Sequence, residues 1–370
     1  MNYPNYPCIA SRVFNTPLLL TIDKAEVIGA VVLARMGGEG TSRHQVEDEL
    51  RVVYAGLPAR RGSSDKGSSE ERIAVINIEG SLVHKTGAMK AMSGLRSYAD
   101  ISEDLQAAID DPSVRGILLR VDSPGGEVNG AFDTADVIHA AAQKKLIWSI
   151  AEDTALSAGF LLASQANRLF VTQSGLIGSV GVVMLHHDLS QAQEKAGVKV
   201  STLYRGARKV DLSPNAPLSN EARERAEVLL SAYYENFVSA VARGREIAAQ
   251  AVRDTEAGIY MGKKALSVGL ADGIGSYRDV LAQFAATLTA NANPSAQPVA
   301  VSSEDLRQRI RAEVRAEVLA RAACIARLCD FMGHPALALQ FIRQDKSRME
   351  VVAELKRLEA AEGSMSSYTN

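Results

Sequence analysis

Apolar positions switch between two periods along the middle of this chain. Ile101, Leu105 and Ile109 recur four apart and predict a helix over Ser97–Asp110, which Asp111-Pro112 ends. Short β-rich runs lie around it: Ile73–Ile78 (IAVINI), Gly116–Val121 (GILLRV), Leu146–Ala151 and Arg168–Thr172. Further helices are predicted at Ala131–Ala142 and in the very apolar stretch Ser157–Ala166. Strand, turn, helix and strand therefore repeat, the pattern of an α/β fold with mostly parallel strands. A long helix follows at Ser219–Arg245, with Ser219 as its cap and Glu221 in its first turn.

Two stretches lack any apolar period. Gly56–Glu71 is rich in Gly, Ser and charge, and Thr287–Ser303 in Ala, Asn, Pro and Ser; both read as linkers. They divide the chain into a head segment (1–55) with one amphipathic helix at Ile22–Met36, a body (72–286), and a tail (304–370). In the tail, Ile310, Val314, Val318, Ile325 and Leu328 fall near one helical face, interrupted at Gly333-His334-Pro335, with a second helical stretch at Lys346–Ala361. The pairs Arg309/Glu313 and Glu317/Arg321 fit a solvated helix or a coiled-coil partner segment.

Composition narrows the function classes. The 370 residues carry 41 basic and 43 acidic side chains, which leaves no basic excess to hold a nucleic-acid backbone. Cys8, Cys324 and Cys329 are too few for a disulfide framework or a zinc signature. No stretch approaches the ~18 apolar residues of a membrane span, and the N-terminus lacks the charge pattern of a secretory signal. The expectation is a soluble intracellular protein without a membrane anchor.

Three segments could carry chemistry. Asp122-Ser123-Pro124-Gly125-Gly126 joins a strand to a helix, and its paired glycines can turn backbone N–H groups toward an oxyanion; a plain tight turn is the alternative. Ser157, in Thr154-Ala155-Leu156-Ser157-Ala158-Gly159-Phe160, starts an apolar helix among small neighbours. It reads as a nucleophile or as a simple N-cap. A serine nucleophile needs a base. His84, His186 and His187 form no recognisable triad. Lys209, in Tyr204–Asp211 beside Arg205 and Arg208, is the other choice; a lysine serves as base only if its pKa falls well below the usual value of about 10.4. Ser179, in Gly178-Ser179-Val180-Gly181-Val182, could orient that amine.

Taken in order, strand-SPGG-helix, ALSAGF, IGSVGV, GARKVDLSP and GIYMGKKALSVGLADGIG resemble peptidase family S49, the signal peptide peptidase A or protease IV family. The likeness runs over about Arg72–Phe284. It implies a ClpP/crotonase-like fold with Ser157 as nucleophile, Lys209 as general base, and Ser179 as the residue that helps hold the lysine. It also implies an oxyanion hole from Gly125 and Gly126, joined by the Ala158 N–H. Where cellular members have Gly-Gly after the nucleophile, this chain has Ala158-Gly159. The layout, including Ser11–Leu19 (SRVFNTPLL), is most similar to the tailed-phage branch, the lambda-type minor capsid protein C group.

That resemblance implies a serine endopeptidase with a Ser–Lys dyad. It would cut scaffold, capsid or portal-type head proteins during procapsid maturation, in the host cytoplasm or the procapsid. It needs no metal or organic cofactor. A homo-oligomer is expected, because family members build active sites between neighbouring subunits. Two alternatives stand beside it: a soluble cellular S49 peptidase in the bacterial cytoplasm, and an assembly scaffold whose body is protease-like but not essential.

Overall fold

The computed structural model describes residues 12–36, 51–57, 71–85 and 94–291, and toward the C-terminus 322, 325–326, 329–330, 334–343, 351 and 354–355. The chain divides into two compact units, Met1–Ala300 and Val301–Asn370.

The strands of the first unit are β1 (Leu18–Leu20), β2 (Val52–Gly56), β3 (Arg72–Glu79), β4 (Ser81–Val83), β5 (Leu95–Ser97), β6 (Val114–Ser123), β7 (Gly125–Glu127), β8 (Leu146–Leu156), β9 (Arg168–Val171), β10 (Leu176–Gly178), β11 (Ile259–Met261) and β12 (Gly273–Ile274). The larger sheet runs β11-β10-β8-β6-β3-β2, with β9 pairing β8 and β12 pairing β9. Its interior pairs, β3–β6, β6–β8 and β8–β10, are parallel; β2 and β11 close its edges antiparallel. The smaller sheet runs β1-β7-β4-β5, with β1 antiparallel to β7 and the other pairs parallel. The expected α/β class with mostly parallel strands is what the structure shows.

Residues Gly116–Leu119 of β6 are buried without a break, as a parallel strand covered on both faces requires. On one face Ile76, Leu119 and Ile147 join a cluster with Ile101 and Leu105 of α1 (Tyr98–Asp110), Ala135 and Ile138 of α2 (Ala131–Ala142), and Phe160 and Leu161 of α3 (Ala158–Ala163). On the other, Ile73, Val75, Leu118, Trp148 and Phe170 pack with Val280, Phe284 and Leu288 of the helix Tyr277–Asn291. There the Trp148 ring stacks on Phe284 at 4.7 Å and tilts against Phe170 at 5.0 Å. The Ser219 cap falls where the sequence puts it, accepting from Ala222 N at 3.1 Å at the start of Asn220–Arg245, while Ser97 caps α1 by accepting from Asp100 N at 3.0 Å.

Several boundaries differ from the sequence reading. The helix Ile22–Met36 is present as expected, but β1 and β2, both in the expected head segment, are strands of the body's two sheets. Gly56 ends β2 and Leu57 N donates to Glu71 O at 2.9 Å; the middle of the expected first linker, 58–70, lies outside the described residues. Thr287 belongs to a helix that continues to Asn291. In the second unit Ile325 is buried with Cys329, Phe341, Val351 and Leu355 in a small core. Ile310, Val314, Val318, Leu328, Cys8 and Cys324 lie outside the described residues.

One buried ion pair ties the long helix to the sheet. Arg245 is 1% exposed and Asp272 is 4% exposed. They meet through Nη1–Oδ2 and Nη2–Oδ1 contacts of 2.8 Å each, and Asp272 also accepts from Leu169 N at 2.7 Å. Removing one partner strands the other charge in the interior. Arg245→Met should therefore lower the unfolding free energy by about 3–5 kcal/mol. The pair replacement Arg245→Met/Asp272→Leu should recover part of it, as read by urea denaturation.

Candidate active site

Parallel pairing brings three turns to one edge of the larger sheet. Ser123, at the end of β6, pairs with Ala155 of β8 after a register shift, and Gly178, at the end of β10, pairs with Leu156. Ser157 follows directly. Its backbone sits at φ 52°, ψ −116°, a conformation few residues other than glycine adopt. Its N–H donates to Gly178 O at 2.9 Å and its carbonyl accepts from Leu161 N at 2.9 Å, which starts α3. Ser157 thus holds the N-cap position of α3, but its side chain makes no capping hydrogen bond. Ser157 is 1% exposed, and its buried Oγ has no hydrogen-bond partner among the described residues. Leaving a buried hydroxyl unpaired costs about 1–3 kcal/mol. A serine on a strained strand-to-helix turn with its hydroxyl unpaired can chemically serve as a nucleophile.

The Ser123–Gly126 turn lies against it. Ser123 Oγ donates to Gly80 O at 2.7 Å and accepts from Gly125 N at 3.1 Å. Gly125 has φ +108°; a Cβ there would collide with Leu19 O and stand 3.0 Å from Ser157 Cβ. A Cβ on Gly126 would overlap the Leu82 carbonyl, because β7 is pressed against β4. A Cβ on Gly159 would stand 3.0 Å from Ser123 Cβ and O, so that position of the Ala158-Gly159 pair has no room for a side chain. Asp122 Oδ1 accepts from Thr154 N (3.2 Å) and Oγ1 (2.7 Å), locking β6 to β8 just before both turns. Tyr98 donates to Glu127 O at 2.8 Å. Burial first, and the Glu127 charge second, hold its phenol well above the usual value, so it stays a donor.

Of the expected oxyanion donors, Gly125 N–H is therefore already bonded to Ser123 Oγ, and Gly126 lies within β7. Ala158 is the first residue of α3, where helix geometry leaves amides without an intrahelical acceptor. Ser179 is not a ladder residue: β10 ends at Gly178, and Ser179 turns at φ 54° with its N–H on Gly258 O at 2.9 Å.

Lys209 is exposed on the 3-10 turn Ala207–Val210. It lines a cavity of about 580 Å³ with Arg208, Asp211, Arg225, Met184 and Leu229 among others; Ser157 is not in that lining. Arg225 Nε donates to Asp211 Oδ2 at 2.7 Å and fixes the segment to the long helix. Two of the three histidines have other contacts: His186 Nδ1 lies 2.9 Å from Asn15 Oδ1, and His187 packs edge-on against Phe14 at 4.4 Å. Among the described residues no group of His, Cys, Asp and Glu could hold a metal ion, and no helix is long and apolar enough to cross a membrane.

The sequence pattern that defines peptidase family S49 matches residues 139–291. The capsid assembly protease C of Escherichia phage lambda is 37% identical over 284 residues, which cover 75% of this chain and 65% of that protein. A putative signal peptide peptidase SppA of Enterococcus faecium is 30% identical over 237 residues, 62% of this chain and 68% of that one. The chain belongs to peptidase family S49. It spans just under two thirds of the lambda protein's length. Among solved structures, a ClpP1 variant of Listeria monocytogenes matches this S49 chain at 14% identity and a TM-score of 0.34, over 56% of this chain and 94% of that one.

The sequence reading of this S49 site missed the polar frame around the glycines. Ser123 and Asp122 were visible in the motif DSPGG, but only the glycines were given a role. The closeness of Leu19 to Gly125 had no sequence signal. The tight approach of β7 to β4 gives a direct test. Gly126→Ala should lower stability by about 1–3 kcal/mol or more through overpacking, measured as a reduced urea midpoint.

Proposed function

We propose that this chain is a serine endopeptidase in which Ser157 Oγ attacks a peptide carbonyl. Lys209 in its neutral form takes the hydroxyl proton, and the amine leaves as that proton is passed on. The acyl-enzyme is then hydrolysed by a water that gives its proton to Lys209, which returns it to Ser157 Oγ as the ester bond breaks. The observation that carries this reading is the Ser157 hydroxyl, buried without a partner on a strained turn directly beside Gly125. The Ala158 N–H, with Gly126 or with a Gly125 N–H released from Ser123 Oγ, would hold the oxyanion. Ser179 would position the amine.

Within one chain Ser157 is buried and Lys209 is exposed. The reading therefore has Lys209 of the partner subunit reach Ser157 in a homo-oligomer, where burial would favour the neutral amine. The name of the lambda relative supports substrates among head proteins during capsid assembly.

Ser157→Ala and Lys209→Ala should each lower peptide hydrolysis by about 10⁴-fold or more. Mixing the two inactive variants after dissociation and reassembly is the sharper experiment. Random pairing restores about a quarter of the sites if each site spans two copies. Persistent inactivity of the mixed oligomer would place both residues in one chain, and undiminished hydrolysis by either single variant would end the dyad reading.

A further inference from the structure

This chain's own β1 runs along the glycine turn beside the proposed nucleophile. Leu18, Leu19 and Leu20 pair antiparallel with Glu127, Gly126 and Gly125, the strand that carries both glycines of the site. On its opposite edge Leu18 pairs antiparallel with Val183, its N–H on Val183 O at 2.8 Å and its carbonyl taking Val183 N at 3.0 Å. Three residues of backbone thus fill a slot with a hydrogen-bonding wall on each side. Leu19 O points at the place where a Gly125 Cβ would be, and Ser157 Cβ is 3.0 Å from that same point.

The side chains divide as a strand's must. Leu19, fully buried, joins the main core cluster that includes Leu82 and Ala158. Leu18 and Leu20 face the other way into a small cluster with Ala25, Ile28, Val183 and Leu185. Flanking polar contacts hold both ends: Arg12 pairs with Glu127, Asn15 Nδ2 donates to Leu212 O at 2.9 Å, and Thr21 N donates to Pro124 O at 3.3 Å.

An extended peptide recognised by strand addition needs this arrangement: a backbone edge for register and a pocket for alternate side chains. Here Gly125, on the β7 wall of the slot, adjoins Ser157, whose buried hydroxyl has no partner among the described residues. We infer that the slot between β7 and Val183 is the binding groove for an extended peptide with an aliphatic central residue, and that Leu18–Leu20 occupy it as an internal stand-in. External substrate enters when β1 leaves. The inference deepens the proposed function and rests on the reading of Ser157 as nucleophile.

A cross-strand disulfide tests it. Leu18 and Val183 form a hydrogen-bonded antiparallel pair, for which Cα atoms lie about 5.5 Å apart, within disulfide range. Leu18→Cys/Val183→Cys is made in the full chain with Cys8 and Cys324 changed to Ser. Each preparation is compared with itself before and after dithiothreitol, alongside the two single-cysteine controls. The substrate is a quenched peptide of sequence FNTPLLLT. Hydrolysis should be at least ten-fold lower in the oxidised form and return on reduction, with no redox effect in the controls. In a Ser157→Ala background, anisotropy of the labelled peptide should show at least ten-fold weaker binding to the oxidised form. Oxidised protein that binds and hydrolyses within two-fold of its reduced form overturns the inference. Hydrolysis that survives Ser157→Ala instead removes the nucleophile, while the binding arm still decides what the slot holds.

Discussion

Parallel pairing of β6, β8 and β10 is the constraint on which the rest of the site depends. Parallel strands all leave a sheet at the same edge, so segments distant in sequence emerge side by side there. The register shift between Val121 and Ser123 sets how far β6 runs before it turns. Asp122 then fixes the level by bonding both the amide and the hydroxyl of Thr154. With that level set, Ser123, Ser157 and Gly178 adjoin, and the strained backbone of Ser157 is held by Gly178 O on one side and by the first turn of α3 on the other.

The strain has its counterweight in the core. The helices behind the turns are among the most apolar in the chain; every residue of α3 is buried. Packing of this kind over-determines the backbone, which is what allows an unfavourable φ and an unpaired hydroxyl to persist. The polar frame is short-range and made largely by small side chains: Ser123 to Gly80 and Gly125, Asp122 to Thr154, Tyr98 to Glu127 O. None of these bonds needs a long, entropically costly side chain.

Much of this was legible in sequence because it is local. The four-residue spacing of Ile101, Leu105 and Ile109 places α1, mostly apolar runs place β6 and β8, and DSPGG places the turn. What was not legible depends on distant approach. Nothing in Leu18–Leu20 announces a strand beside Gly125, since three leucines before a helix read equally well as part of that helix. Likewise Val52–Gly56 runs into a Gly/Ser-rich stretch that hides its pairing with β3. Ser157 reads as a cap or a nucleophile by spacing alone; its strained φ and bare Oγ have no signal in the sequence. The position of Lys209 on another cavity was also beyond sequence, because a 3-10 turn on a loop carries no periodic signal.

The antiparallel β2 has a practical meaning for anyone who would express the body alone. A fragment begun at Arg72, where the composition changes, would lack the strand that covers the outer edge of β3 from Arg72 to Ile76. That edge carries Ile73, Val75 and Ile76, all buried in the intact chain. Uncovered, it becomes an open template for pairing with another molecule's edge, the usual route to aggregation of a cut sheet. The minimal folding piece of the first unit is thus longer than the stretch that its motifs mark out.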